Sequence, residues 1–128
     1  MSYYFAKTVD ESFDEAIEKV TERLKEQGFG ILTQIDVKAT LKQKIDVDFR
    51  PYRILGACNP PLAHQALQAE PWIGLMLPCN VVVQETEDGK VQVAAIDPVA
   101  SMEAVENDEL PAIATQVREK LKSIIENL

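Results

Sequence analysis

The segment from Asn80 to Ile96 constrains the fold more than any other part of this chain. It contains two β-prone runs, Asn80 to Thr86 and Lys90 to Ile96, on either side of the pair Asp88-Gly89. An Asp-Gly pair favours the tight hairpin turns whose backbone twist matches that of the flanking strands. Strands joined directly by such a turn run antiparallel. The hairpin therefore excludes a doubly wound parallel sheet and indicates an α+β fold.

Two long amphipathic helices are predicted, one near each end of the chain. Ser12 and Glu15 form a capping box for the first helix, and Gly28 suits the left-handed residue that ends it. Asp108 is predicted to cap the last helix, which tolerates Pro111 in its first turn. Each helix has an apolar stripe at helical spacing, formed by Phe13, Ala16, Ile17, Val20 and Leu24 in the first and by Ile113, Ala114, Val117, Leu121, Ile124 and Ile125 in the second.

Three further strands and two shorter helices complete the pattern. Strands are predicted at residues 3–8, 29–35 and 52–58, with a short basic helix after Asp36 and another helix between Pro60 and Pro71. The buried stripe of the Pro60 helix is predicted to consist of Leu62, Ala63, Ala66 and Leu67.

The predicted architecture is a single domain, residues 1–128, with an antiparallel sheet of about five strands and the two long helices on one face. Nothing in the chain is assigned to the other face, which carries Val, Ile and Tyr positions. Exposed apolar sheet surface of this kind indicates an interface. We therefore expect a symmetric homodimer, the commonest way to cover such a face.

The charge and hydropathy of the chain exclude several classes of partner. A net charge of −8 repels nucleic acid, because phosphate contacts need clustered Lys and Arg. The longest apolar run, Trp72 to Leu77, is six residues long, whereas roughly twenty are needed to cross a bilayer. The first residues include acids and no positively charged leader. We expect a cytoplasmic protein that binds neither nucleic acid nor membranes.

Two cysteine-containing segments, Cys58-Asn59-Pro60 and Pro78-Cys79-Asn80, give the sharpest chemical signal. Cys58 precedes a predicted helix N-terminus, whose partial positive charge favours a thiolate. We hypothesise that the two segments and the Trp72 loop form a cleft that binds a small ligand or a protein partner. The candidate binding residues are Cys58, Asn59, Pro60, Trp72, Cys79 and Asn80.

Two alternatives to this cleft remain open. Cys58 and Cys79 could form a redox or cuprous-copper site, with Met76 as a soft neighbour, although Met76 is better explained as a core residue. Both cysteines could also be small buried side chains without a chemical role. The single histidine, His64, faces away from the apolar stripe of its helix, which disfavours a zinc site.

General acid–base chemistry has few candidate residues. Asp36 and Asp97 stand at strand-to-helix corners, where helix capping explains them. We therefore predict no cofactor and no catalytic residue, and we favour a binding domain over an enzyme.

A basic segment interrupts the acidic chain between residues 37 and 53. It holds five basic side chains against the two acids Asp46 and Asp48, a local charge of +3. Such a patch could receive an anion or an acidic partner surface, or it could be a solvated helix face. Its basic residues are Lys38, Lys42, Lys44, Arg50 and Arg53.

Several of these segments together resemble the domain-of-unknown-function 302 family. The resemblance rests on Gly28-Phe29-Gly30, on Tyr52 to Pro60 with its Cys-Asn-Pro, and on Gly74 to Cys79 with its Leu-Pro-Cys. It covers nearly the whole chain. The family implies a small α+β fold similar to the TATA-binding-protein-like class, found as homodimers, and it brings no established activity or catalytic residue.

Overall fold

The structure, a computed structural model, describes residues 2–128 and contains one antiparallel sheet. The sheet order is β1-β5-β4-β3-β2, with every neighbouring pair antiparallel. The α+β class predicted from the hairpin is confirmed. The strands are β1 (Tyr4–Val9), β2 (Gly30–Asp36), β3 (Tyr52–Cys58), β4 (Cys79–Glu85) and β5 (Val91–Ile96).

The helices lie where the apolar periodicity predicted them. They are α1 (Phe13–Glu26), α2 (Val37–Ile45), α3 (Pro60–Ala69), α4 (Pro98–Ser101) and α5 (Leu110–Glu126). A 3₁₀ helix at Pro71–Met76 occupies the segment for which the sequence indicated only a loop. No helix within residues 2–128 combines the length and the apolar character that crossing a bilayer requires.

The hydrophobic core lies between one face of the sheet and the two long helices, α1 and α5. Strand residues at alternating positions point into it, because successive side chains of a strand face opposite sides. The centre of the core is fully buried, because several large side chains there have less than 2% of their surface exposed. These central residues are Val20 and Leu24 from α1, Leu55, Val81, Val83 and Val93 from the strands, and Leu121 and Ile125 from α5.

Both ends of α1 follow the local signals in the sequence. Ser12 and Glu15 exchange the two hydrogen bonds of a capping box. At the other end, Gly28 adopts φ +85°, and the N–H groups of Gly28 and Phe29 donate to the carbonyls of Lys25 and Leu24. This pattern is a Schellman motif, in which glycine avoids the strain that a Cβ would add.

The start of α5 differs from the prediction. Glu109 occupies the N-cap position without a side-chain hydrogen bond, so Asp108 does not cap the helix. Instead, Oδ1 of Asn107 accepts a hydrogen bond from the N–H of Glu109. Asn107, one residue before the predicted Asp108, thus satisfies one exposed backbone donor at the start of α5.

The two edges of the sheet are β1 and β2. The pairing of β2 with β3 shifts register between Ile31 and Thr33, so that Leu32 has no partner in β3 and is 66% exposed. At the other edge, Lys7 of β1 donates from its Nζ to the backbone oxygen of Leu128 at 2.7 Å.

The sheet face opposite α1 and α5 is called the open face here. Register places three rows of side chains on it. The central row crosses all five strands and is entirely apolar. From β1 to β2, its residues are Ala6, Ala94, Val82, Ile54 and Ile35, each paired with the next. The flanking rows are Thr8, Gln92, Gln84 and Tyr52 on one side, and Tyr4, Ile96, Asn80, Gly56 and Thr33 on the other.

Candidate functional site

A small cavity lies between α3, α5 and the adjoining ends of β3 and β4. Its volume is about 40 Å³, whereas sites for small organic ligands measure roughly 300–1,000 Å³. It has room for a few water molecules at most. Apolar side chains dominate its wall, which includes Phe29, Leu62, Ala66, Leu77, Met102, Ile113 and Val117 together with Cys58, Asn59 and Cys79.

The six predicted binding residues are only partly brought together. Cys58, Asn59 and Cys79 line the cavity, whereas Pro60, the first residue of α3, does not. Trp72 lies outside the cavity with 75% of its surface exposed. Asn80 lies on the open face, because it directly follows the core-facing Cys79 in β4. The prediction of one cleft that contains all six residues is therefore wrong.

Asn59 has a structural role in this region. Its Oδ1 accepts the N–H of Leu62 at the start of α3, and its Nδ2 donates to the carbonyl of Gln27 at the end of α1. A Cβ added to Gly28 would come within 3.2 Å of this Nδ2. One side chain thus caps α3 and joins it to the C-terminus of α1.

The two cysteines do not form a reactive pair. Both thiols are free, Cys79 is buried and Cys58 is half-buried. Both cysteines line the small cavity, but Ala57, not Cys58, is the strand partner of Cys79, so the two cysteines are not directly opposite each other in the pairing of β3 with β4. Burial, with a smaller contribution from Cys58, raises the pKa of the Cys79 thiol to about 11. Cys79 is therefore a protonated core side chain at neutral pH, which weakens the redox and cuprous-copper alternative.

No cluster of three or more metal-ligating side chains occurs within residues 2–128. His64 lies on the exposed side of α3, as its position relative to the apolar stripe predicted. Met76, which the sequence placed in the core, is 38% exposed, and Leu67, predicted as part of the buried stripe, is 44% exposed. Both belong to the outward side of the α3 and 3₁₀ segment.

The five basic residues predicted as one patch do not form a continuous surface. Arg53 donates to the side chains of Asp36 and Gln34, and its guanidinium lies over the ring of Phe13. This partner, Asp36, lies one residue before the segment that the sequence analysis counted as basic. Arg53 is therefore already paired within the fold.

The other basic residues of this segment are also engaged or dispersed. Lys42 pairs with Asp46 at 3.0 Å and with Asp48 at 3.2 Å. Arg50 lies over the ring of Phe49 and donates to Gln84 on the open face. Lys38 and Lys44 are exposed on α2. The geometry supports a solvated helix face better than an anion site.

The open face carries a concavity of about 530 Å³. Its wall comes from β1, β5 and β4 with Tyr3 and Tyr52, and it includes Lys7 of β1. The three rows of side chains on this face contain no acid and no base, although 27% of the chain is charged. The sequence analysis identified the uncovered face but could not identify these rows, because they depend on the strand register.

These features define a class of small α+β domain in which helices cover one face of an antiparallel sheet and the other face is open. The chain belongs to the family described as Domain of unknown function DUF302, whose model matches residues 5–128. It is similar to a structure described as the crystal structure of uncharacterized conserved protein DUF302 from Bacillus stearothermophilus. That similarity has a TM-score of 0.91 and 29% sequence identity, and it covers 98% of each chain. No curated protein matches the chain.

Proposed function

We propose that this protein is a homodimeric protein-interaction domain whose two copies associate through the open face. The observation that carries the proposal is the absence of charge from the three rows of that face, in a chain of net charge −8. Two acidic bodies repel each other, and like charges placed opposite each other cost several kcal/mol. These rows bring no acid into the contact, so two acidic copies can meet there with little repulsion between like charges.

The central row supports close contact between two copies. Ala6 and Ala94 are small and adjacent across β1 and β5, and Val82, Ile54 and Ile35 continue the row. Small side chains let two sheets approach closely, and the branched residues then bury their methyl groups against the partner. An isologous contact across a two-fold axis would place each row against its own counterpart or against a row of similar character.

The dimensions of the open face reach the lower limit for a specific interface between two copies. Five strands spaced about 4.8 Å apart, each about six residues long at about 3.3 Å per residue, span roughly 24 by 20 Å. This corresponds to about 480 Å² per copy and about 1,000 Å² per pair, before the relief of the side chains is counted. Specific interfaces bury about 1,000 Å² or more in total.

The size of the cavity at Cys58, Asn59 and Cys79 argues against a small organic ligand at that place in the fold. At about 40 Å³ the cavity is too small for an organic ligand. The two acids at strand-to-helix corners already have structural partners, since Asp36 caps α2 and Asp97 both caps α4 and pairs with Arg118. These observations support a role in binding rather than in catalysis.

The proposal is tested by placing a charge at the centre of the open face. We expect the wild-type chain to show twice its monomer mass of 14.3 kDa in light scattering after gel filtration. Ala94→Glu should give a monomer, because it places a carboxylate in the apolar row against its counterpart. The matched control, Ala112→Glu on the exposed side of α5, should remain dimeric. Far-UV circular dichroism shows whether each variant is folded.

Two results would contradict the proposal. One is a monomeric wild-type protein at high micromolar concentration. The other is a folded Ala94→Glu variant that retains the dimer mass, which would place the interface elsewhere on the molecule.

A further inference from the structure

A second apolar surface lies on α3 and the 3₁₀ helix, away from the open face. Trp72 is 75% exposed and Leu75 is 81% exposed. In a 3₁₀ helix, side chains three positions apart lie in line, so Trp72 and Leu75 form one ridge. We call these two residues, Trp72 and Leu75, the apolar ridge.

The apolar ridge is held by a packed base. Ile73, between the two exposed residues, is 1% exposed and packs in a cluster with Ala66 and Leu110. The side-chain amide of Asn107 donates to the carbonyl of Ala69 at 2.7 Å. Because α3, the 3₁₀ helix and the start of α5 are joined in this way, Trp72 and Leu75 are exposed on an ordered support rather than on a loose loop.

The surroundings of the ridge are strongly acidic. Between Arg53 and Arg118, Lys90 at the hairpin turn is the only lysine or arginine in the sequence. The loop that packs beneath the ridge carries exposed acids on both sides of Asn107, and Asn107 also contacts the carboxylate of Glu70. The acidic rim consists of Glu70, Glu103, Glu106, Asp108 and Glu109.

We propose that the apolar ridge with its acidic rim is the docking site for a basic amphipathic helix of a partner protein. Exposed apolar side chains that adjoin one another mark interaction sites, and tryptophan is among the commonest hot-spot residues. The acidic rim selects a partner whose apolar face is flanked by lysine or arginine. The same rim opposes a second copy of this chain and an anionic membrane. The inference deepens the proposed role as an interaction domain but does not depend on the dimer.

The single tryptophan of the chain makes the test direct, because Trp72 is itself part of the ridge. The probe is a synthetic amphipathic peptide of leucine and lysine, about five helical turns long. We expect a blue shift of the Trp72 emission that saturates with peptide and weakens as salt is added. The matched peptide, in which glutamate replaces lysine, should cause no shift.

Two leucine variants locate the binding surface. Leu75→Ser should weaken peptide binding by about tenfold or more, as expected for a central interface residue. Leu32→Ser changes another exposed leucine, which lies in β2 outside the ridge, and should leave the affinity unchanged. Ala94→Glu should bind the peptide as well as the wild type does, so the outcome of this test is independent of the dimer test.

Four outcomes would overturn the inference. The first is a Trp72 emission shift of equal size with the leucine–glutamate peptide, and the second is an equal loss of peptide affinity in Leu32→Ser and Leu75→Ser. The third is a blue shift that appears when the protein alone is concentrated. The fourth is a blue shift that only phosphatidylcholine or phosphatidylglycerol vesicles produce. The third would assign the ridge to a second copy, and the fourth would assign it to a lipid surface.

Discussion

Replacing Gly56 with alanine should destabilise the fold, because the centre of the sheet has no space for a methyl group at this position. A Cβ built on Gly56 would overlap Oγ1 of Thr33 and would lie 2.7 Å from Cγ of Pro78. Rotation of the Thr33 side chain relieves the first contact only. The ring of Pro78 is rigid and must move as a whole, so the second contact determines the cost.

Two opposing effects set the size of the change. Overpacking by one methyl group costs about 1–3 kcal/mol, whereas alanine in a strand is more favourable than glycine by about 0.5–1 kcal/mol. The net expectation is a loss of about 1–2 kcal/mol in the free energy of unfolding. For a chain of this size, this corresponds to a fall of roughly 3–10 °C in the melting temperature.

The matched control is Gly30→Ala in the neighbouring strand β2. A Cβ at Gly30 meets no atom within 4 Å, so this variant should be neutral or more stable by about 0.5–1 kcal/mol. Urea unfolding followed by far-UV circular dichroism measures both variants, at one protein concentration because the proposed dimerisation would contribute to apparent stability. Equal midpoints for Gly56→Ala and Gly30→Ala would refute the reasoning, since only Gly56 is sterically blocked.

Two further predictions concern the region of the cavity. Asn59→Ala should lower the free energy of unfolding by about 1–2 kcal/mol, because the variant loses both the α3 cap and the hydrogen bond to Gln27. Asn59→Asp keeps the cap and should lose less stability. Urea midpoints measure both variants. The pKa of the Cys79 thiol is about 11 in the folded protein, against an ordinary value of 9.0. Because the folded state holds this proton more tightly than the unfolded state, the thiol contributes about 2–3 kcal/mol to the free energy of unfolding. This contribution is complete below pH 9 and is lost as the pH rises through 11. Urea midpoints measured across this interval should fall less steeply in Cys79→Ala than in Cys58→Ala; equal slopes would contradict the assignment of the titration to Cys79.

The parts of the fold that sequence predicted well depend on short-range signals. The Asp88-Gly89 turn and the Ser12 capping box each act within a few residues, so local chemistry determines them. The hairpin makes β4 and β5 antiparallel neighbours, and the two helix stripes require one sheet face to cover. The remaining order of the sheet, with β1 and β2 at its edges, depends on long-range pairing and was not predicted.

The candidate site was predicted less well because it depends on which way each side chain points. Cys79 and Asn80 are adjacent in sequence, yet one enters the core and the other lies on the open face, as the two-residue period of a strand requires. Exposure of Leu67 and Trp72 depends on which neighbouring element covers their helix. No pattern within α3 or the 3₁₀ helix contains that information.

The two edges of the sheet determine how far association can proceed. Edge strands offer unpaired backbone groups to which further strands can add, and bulges and edge lysines oppose such addition. The unpaired Leu32 in β2 and Lys7 in β1 place one such feature at each edge. Growth by strand addition is therefore discouraged in both directions, and the proposed pairing through the open face would use up that surface after one partner has bound. The expected result is a closed pair that does not polymerise into fibrils when the protein is concentrated.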